Sequence, residues 1–276
     1  MCYRAVVRSA ISNDNKVRGE TPYRKFQFYN STTAQPHEMT TAPQHHSTTA
    51  QIHILAIDTA TNSGGVALSR NGEVIASLMV KAPLQYAEKL LYLVDFLLDQ
   101  HKLKLEEMDC FAVANGPGSF TGLRIGIATV KGFCQGLNKP GVGISTLEAL
   151  AYRFRWAHSR VAPMIDARRH QIYGAMFRFN GSQMELEQKE QVSSPALWLQ
   201  EISGQECVFV GDGAQLYKET IVAAHPEARV LETDNRVLET LCQIAYRRFK
   251  ETETQSAQEL KANYLRPSDA RKQETG

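Results

Sequence analysis

Asn115-Gly116-Pro117-Gly118-Ser119-Phe120-Thr121-Gly122-Leu123-Arg124-Ile125-Gly126 decides how this chain folds. An apolar run, Cys110 to Ala114, precedes it and a segment of helical character follows it to about Leu137, so the stretch reads as strand, tight glycine turn and helix start. Such a turn aims backbone N–H groups along the positive end of a helix dipole, where an anion or polar group can dock. Ser119 or Thr121 is the expected N-cap, since either hydroxyl can accept from first-turn amides. The turn is not a Walker A loop, because no Gly-Lys-Ser/Thr follows and no lysine stands within reach of a phosphate. Gly122, Gly126, Gly132 and Gly136 fall inside the helix, and each interior glycine costs about 1 kcal/mol relative to alanine. Close approach to the sheet beneath or to another helix above would offset that cost. The segment Gly122 to Gly136 is therefore read as a contact helix.

Upstream, Ile52 to Ile57 is an apolar strand ending in Asp58, and Gly65 to Ser69 is a second strand. Asn71-Gly72 is a type I′ hairpin signal, and Glu73 to Val80 returns as a third strand. Tyr86 to Gln100 carries a helical stripe at Leu90, Leu91, Val94, Leu97 and Leu98. Tyr92, Leu93 and Phe96 widen it, so this helix is expected to be covered on two sides. Downstream come a strand, Val142 to Ser145, and a helix from Thr146 to about Trp156. A second set then repeats the order: Ala162 to Ile165 ending in Asp166, Gln171 to Phe179, a turn at Asn180-Gly181, Gln183 to Val192, a helix from Pro195 and strand Cys207 to Val210. A helix after Gly213, a short strand near Val230 and a helix from Val237 to Lys250 complete it. Two such halves describe an α/β duplicated, actin-like (ASKHA, ribonuclease H-like) two-lobed fold. The expected domains are a disordered polar extension over 1–51, an N-terminal lobe over 52–156 with the partner-binding helices, a smaller lobe over 157–250, and a tail over 251–276.

Composition narrows the function. With 43% hydrophobic residues in 276, the chain can bury one large core or two modest ones. Five scattered cysteines without CxxC spacing point to reduced thiols and a cytoplasmic protein. The extension over 1–51, rich in Thr, Gln, His and Ser, holds six Lys/Arg against three Asp/Glu, which leaves −1 of the formal +2 for the rest. That balance makes no general electrostatic case for binding nucleic acid alone. Met39 is a candidate start, and the Arg-containing first 18 residues a candidate targeting segment.

The two strand-terminal carboxylates, Asp58 and Asp166, would face a cleft between lobes. There they could hold magnesium or orient water beside a nucleotide, with Thr59 and Thr61 adding hydroxyls. The competing reading has Asp58 capping its own turn through an Asx bond. A two-metal nuclease would need further carboxylates, and although Glu88 could supply one, the fourth strand ends in Asn115 with Asp109 at its wrong end. No HxxxH or HExxH pair is present, so no metal site is expected, and Ser119 lacks the G-x-S-x-G elbow of a serine hydrolase.

Ile54-Leu55-Ala56-Ile57-Asp58-Thr59-Ala60-Thr61, the glycine stretch quoted above, Gly143-Ile144-Ser145-Thr146-Leu147, Ile165-Asp166-Ala167-Arg168 and Tyr264-Leu265-Arg266 together resemble the TsaB (YeaZ) family. Its members are bacterial accessory subunits for making threonylcarbamoyladenosine on tRNA, at the adenosine next to the anticodon. The resemblance runs from about residue 52 to 266, and the first fifty residues have no counterpart in it. It implies a noncatalytic, peptidase M22-like relative of the transferase subunit TsaD, sharing its two-lobed fold. TsaD carries a metal-holding histidine pair on the first helix, whereas the corresponding helix here begins Gln85-Tyr86-Ala87-Glu88-Lys89, without histidine.

The resemblance further implies pairing with a TsaD homologue through the first two helices of the N-terminal lobe, with the ATPase TsaE joining the complex. A homodimer through the same surface is expected when TsaD is absent, with tRNA reached only indirectly and no membrane contact. No cofactor of its own is implied; ATP and magnesium act at the level of the complex. Glu88, Leu91, Tyr92, Asp95 and Phe96 on one helix, and Thr121, Gly122, Arg124, Ile125, Gly126 and Ala128 on the other, are the candidate partner surface, chosen by helical spacing. Asp58, Thr59, Thr61, Gly116, Gly118, Ser119 and Asp166 are the candidate vestigial nucleotide site. The alternative is an actin-like ATPase or kinase using Asp58, Asp166 and the 116–122 glycine turn.

Overall fold

The computed structural model describes residues 51–80, 86–157, 160–181, 183–202 and 206–266. The expectation of a disordered extension lies, up to residue 50, outside the described residues. Strands β1 (His53–Asp58), β2 (Gly64–Arg70) and β3 (Glu73–Val80) are followed by helix α1 (Tyr86–Gln100), β4 (Cys110–Gly116), α2 (Phe120–Leu137), β5 (Gly141–Ser145) and α3 (Thr146–Tyr152). The second set is β6 (Arg160–Asp166), β7 (Ile172–Asn180), β8 (Gln183–Ser193), α4 (Pro195–Glu201), β9 (Cys207–Val210), α5 (Asp212–Leu216), α6 (Lys218–Ala224), β10 (Arg229–Val230) and α7 (Leu238–Lys250).

The first sheet has the order β3-β2-β1-β4-β5 and the second β10-β9-β6-β7-β8, which is the same order when read from its other edge. In each, the first strand pairs antiparallel with the second and parallel with the fourth, as β1 does with β2 and β4 and β6 with β7 and β9. The duplicated, actin-like α/β architecture expected from element order is thus present in the strand pairing itself. At the β2–β3 turn, Asn71 and Gly72 both take positive φ, 52° and 83°, as a type I′ hairpin requires.

Ile54, Leu55, Ala56 and Ile57 are all fully buried, so β1 is covered on both faces, which is why it reads as an unbroken apolar run. Helices α1 and α2 pack on this sheet, while α7 touches all five of its strands. In chain order α7 belongs to the second set, yet in space it is a layer of the first. Helix α3, buried from Thr146 through Ala151, meets β4, β5, β6, β7 and α7, and so forms the seam where the lobes join. Glu148 of α3 accepts from Arg248 of α7 at 2.7 and 2.9 Å, and Arg248 also donates to the Gly143 carbonyl at 3.1 Å. A second, smaller core gathers Trp198, Phe209, Ile221 and Met176 beneath the second sheet. Among the described residues, no helix is long and apolar enough to cross a membrane.

Candidate functional site

A cavity of about 670 Å³ opens between the lobes, walled by the β1 turn, the glycine turn, the β6–β7 turn and residues Asn263 to Arg266. Of the candidate nucleotide-site residues, Thr61, Gly118, Ser119 and Asp166 line it, whereas Asp58, Thr59 and Gly116 do not. Asp58 is fully buried: its Oδ1 accepts from the amides of Ala60 (2.8 Å) and Thr61 (3.3 Å), and its Oδ2 accepts from the Thr61 hydroxyl (2.6 Å). The Asx reading describes this residue. Burial pushes its carboxyl above the usual range, against the pull of those three donors. Thr59 donates from Oγ1 to the Gly122 carbonyl at 2.7 Å, and the Ser119 amide donates to the Ala60 carbonyl at 2.9 Å. Ser119 is the N-cap, accepting from the Gly122 amide.

The glycine turn is therefore knitted to the β1 turn rather than held open. A Cβ on Gly118 would stand 2.5 Å from the Ala60 carbonyl oxygen, and one on Gly116, at φ +115°, 2.7 Å from that of Asn263. Asp166 does face the cavity, where its Oδ1 accepts from the Arg168 amide (2.8 Å) and its Oδ2 pairs with the Arg168 guanidinium (3.2 Å). These residues do not fit a magnesium nucleotide held between two strand-end carboxylates, because Asp58 offers it no exposed oxygen. Among the described residues no group of three His, Cys, Asp or Glu side chains stands close enough to hold a metal. Sequence reasoning missed the turn at Arg168, Arg169 and His170, three successive non-glycine residues at φ 62°, 53° and 56°. Nothing in their letters signals that conformation.

The second candidate surface is the outward side of α1 and α2. Thr121, Arg124 and Ala128 are exposed there, and Leu91, Tyr92, Asp95, Phe96 and Ile125 are half-buried. The Tyr92 and Phe96 rings stack at 6.3 Å, and the Arg124 guanidinium lies 4.0 Å from the Phe120 ring centre. Glu88 lies within α1, but its side chain is outside the described residues. Gly122 and Gly126, expected on this surface, face the other way. They share the inward side with Leu123, Ile127 and Val130, and a Cβ on them would meet the Thr59 carbonyl oxygen at 1.8 Å and the Thr59 hydroxyl at 2.4 Å. Gly132 and Gly136, by contrast, are exposed, and a Cβ on either would meet nothing within 4 Å. Close approach thus explains two of the four glycines.

Comparison with known proteins bears on this geometry. The chain is 33% identical to the tRNA threonylcarbamoyladenosine biosynthesis protein TsaB of Escherichia coli (strain K12), over 82% of its own length and 99% of that protein. This chain belongs to the TsaB family. It is also 31% identical to the protein of the same name from Bacillus subtilis (strain 168), covering 61% of this chain and 74% of that one. YeaZ from Pseudomonas aeruginosa, a solved structure, superposes with a TM-score of 0.65 at 28% identity, covering 78% of this chain and all of that one. The family model described as "TsaD: tRNA N6-adenosine threonylcarbamoyltransferase" matches residues 80–274. The kinship of TsaB with TsaD is therefore written into most of the folded chain.

One feature of this TsaB-family chain sits behind the cavity wall. Glu190 of β8 accepts from the Ser145 hydroxyl, and its Oε2 accepts from the Asn263 side-chain amide at 2.5 Å. The Asn263 backbone N–H donates to the Asn115 backbone carbonyl at 2.7 Å. Burial lifts the Glu190 carboxyl above its ordinary 4.5, although both donors pull it down. A raised carboxyl binds its proton more tightly in the folded state, so its contribution is complete below pH 4.5 and is lost as pH rises through the folded pKa. Thermal midpoints of Glu190→Gln and the parent, measured from pH 4 to 8, are expected to diverge across that window, with the variant showing the flatter profile. Parallel profiles would show that Glu190 titrates as in water.

The four described cysteines are all buried. Burial pushes Cys110, Cys207 and Cys242 up to about 12 and Cys134 to about 11, so they stay neutral thiols, not nucleophiles.

Proposed function

We propose that this chain is an accessory subunit in the synthesis of threonylcarbamoyladenosine on tRNA, binding a TsaD homologue through the outward side of α1 and α2 and contributing no catalytic side chain. The observation that carries the reading is the division of α2. Its inward glycines are filled by Thr59, while Thr121, Ala128, Gly132 and Gly136 set a row of small residues on its outward side beside Ile125 and Arg124. A second helix can approach such a surface closely, with Tyr92, Phe96 and the Arg124–Phe120 stack as the large groups beside it. The names of the relatives support the pathway, and the TsaD-like match supports a partner built on the same fold, docking like on like. TsaE joins at the level of the complex, and a homodimer uses the same surface when TsaD is absent. An ATPase or kinase would require an accessible Asp58, which the turn buries.

The test is size-exclusion chromatography with light scattering on the chain alone and with the TsaD of the same organism. A heteromeric peak is expected. Tyr92→Asp and Arg124→Glu should each weaken the complex by about 30-fold or more, as replacement of a buried aromatic or arginine anchor does. If neither change alters the affinity, or no complex forms even with nucleotide and TsaE, the proposed surface is wrong.

A further inference from the structure

At the end of α3 and past it, at residues that line neither the cavity nor the α1–α2 surface, the chain reads Tyr152-Arg153-Phe154-Arg155-Trp156. Trp156 is 71% exposed, an unusual state for the residue with the largest apolar surface. Its companion Trp198 is fully buried. The Arg155 guanidinium lies 4.4 Å from the Trp156 ring centre and 4.6 Å from that of Tyr152, and donates to the Tyr152 carbonyl at 3.1 Å. Arg247 of α7 reaches the same tyrosine at 5.8 Å, and Arg153 lies 5.6 Å from Phe154. These are planar cations held against aromatic rings, with one large ring left open to solvent.

Among the cluster's arginines, Arg155 differs from the rest in its charge partners. From residue 149 to 165 the chain has Arg153, Arg155 and Arg160 and no Asp or Glu. Arg153 pairs with Asp234 at 3.2 Å and Arg160 with Glu187 at 2.5 Å, while Arg247 meets Glu251 only at 3.9 Å. Arg155 has no carboxylate partner among the described residues. Its charge is satisfied by π faces and one carbonyl, and so remains available to an anion.

We infer that the Tyr152–Trp156 cluster is a docking surface for single-stranded RNA, taking one unstacked base on the open face of Trp156 and its phosphate on Arg155. The chemistry matches that occupant on both counts: every base has a π face that stacks on an aromatic ring, and each nucleotide brings one negative charge to the guanidinium. A nucleotide brings the ring and the charge together in one unit, which an acidic side chain does not. The inference goes beyond the partner-binding reading and does not depend on it, since it concerns this chain alone and a different part of its surface. It also qualifies the near-neutral charge balance of the whole chain, within which Arg155 stands without a carboxylate partner among the described residues.

The test is a fluorescence titration of the full chain with a ten-residue oligoadenylate, in low and in moderate salt. Trp156 is the exposed one of two tryptophans, so the signal reports on the cluster and not on the basic residues of the first fifty. Saturable quenching is expected, weakening as salt rises. Because Trp156→Ala removes the reporter, its affinity is read from the anisotropy of an end-labelled oligoadenylate, and a loss of about tenfold or more is expected. Arg155→Glu should weaken binding by at least as much, and Trp156→Phe should restore part of what Trp156→Ala loses. An RNA duplex of equal length, which offers no unstacked base, should bind more weakly. Trp156 is exposed and Arg155 half-buried, so unchanged melting temperatures separate these effects from unfolding. Absence of quenching, equal affinity in Arg155→Glu, or equal quenching by polyglutamate would overturn the proposal.

Discussion

Gly122→Ala should destabilise this chain by about 3 kcal/mol or more, although alanine is the better helix former, because overpacking against rigid backbone outweighs propensity. The added methyl would sit 1.8 Å from the Thr59 carbonyl oxygen, and a main-chain atom cannot rotate aside. Either α2 lifts from the β1 turn or the turn shifts, breaking the Thr59 hydroxyl bond to the Gly122 carbonyl and the Ser119 bond to Ala60. Gly132→Ala in the same helix should do the opposite and add up to about 1 kcal/mol, since nothing lies within 4 Å of its new methyl. Urea unfolding of the two variants beside the parent decides it. A Gly122→Ala protein as stable as the parent would show that the close approach is not a constraint.

Leu260→Ala is expected to remove about 2.5 to 4 kcal/mol, the range for emptying a buried leucine site. This residue lies in a stretch that sequence alone marks as a tail. In the structure residues 255–266 run as a strap from the first sheet to the second. Gln255 exchanges backbone bonds with Gly141 at 2.8 Å in each direction, and its side chain accepts from the Gly143 amide. Leu260 is 1% exposed and presses on Gly141, where a Cβ would come within 2.7 Å of it. The Tyr264 ring packs tilted against Phe120 at 5.0 Å, and Arg266 donates to the Ala167 carbonyl at 2.9 Å. The same unfolding experiment applies. A loss below about 1 kcal/mol would mean that the strap peels away before the lobes unfold.

These two residues mark what sequence could and could not convey. Strand and helix order was legible because period-two and period-3.6 apolar patterns are local, and Asn71-Gly72 can hardly be read as anything but a hairpin turn. The four glycines of α2 could be seen as a group, but their division into two inward and two outward needed the phase set by Leu123, Ile127 and Val130. Asp58 and Asp166 looked alike as strand-end carboxylates, yet one is enclosed by its own turn and the other lines the cavity. That difference arises from the Thr61 hydroxyl and two amides, none of which is specific in sequence. The strap escaped notice because it has no repeat: it is held by backbone bonds and single side chains, each docking at a place far along the chain. The aromatic–arginine cluster was in plain sight as letters, but only the exposure of Trp156 separates it from an ordinary buried patch.

The position of α7 sets a timetable for synthesis. Its partners, the five strands of the first sheet, are complete once Ser145 has been made, but α7 begins at Leu238, about 90 residues later, or roughly 5 to 20 s of translation at ordinary rates. For that interval one side of the nascent sheet, including Ala56 and its neighbours, has no cover of its own. The first lobe thus cannot mature on the ribosome ahead of the second, and a chain stopped short of Lys250 would present an apolar sheet to chaperones and to other unfinished copies.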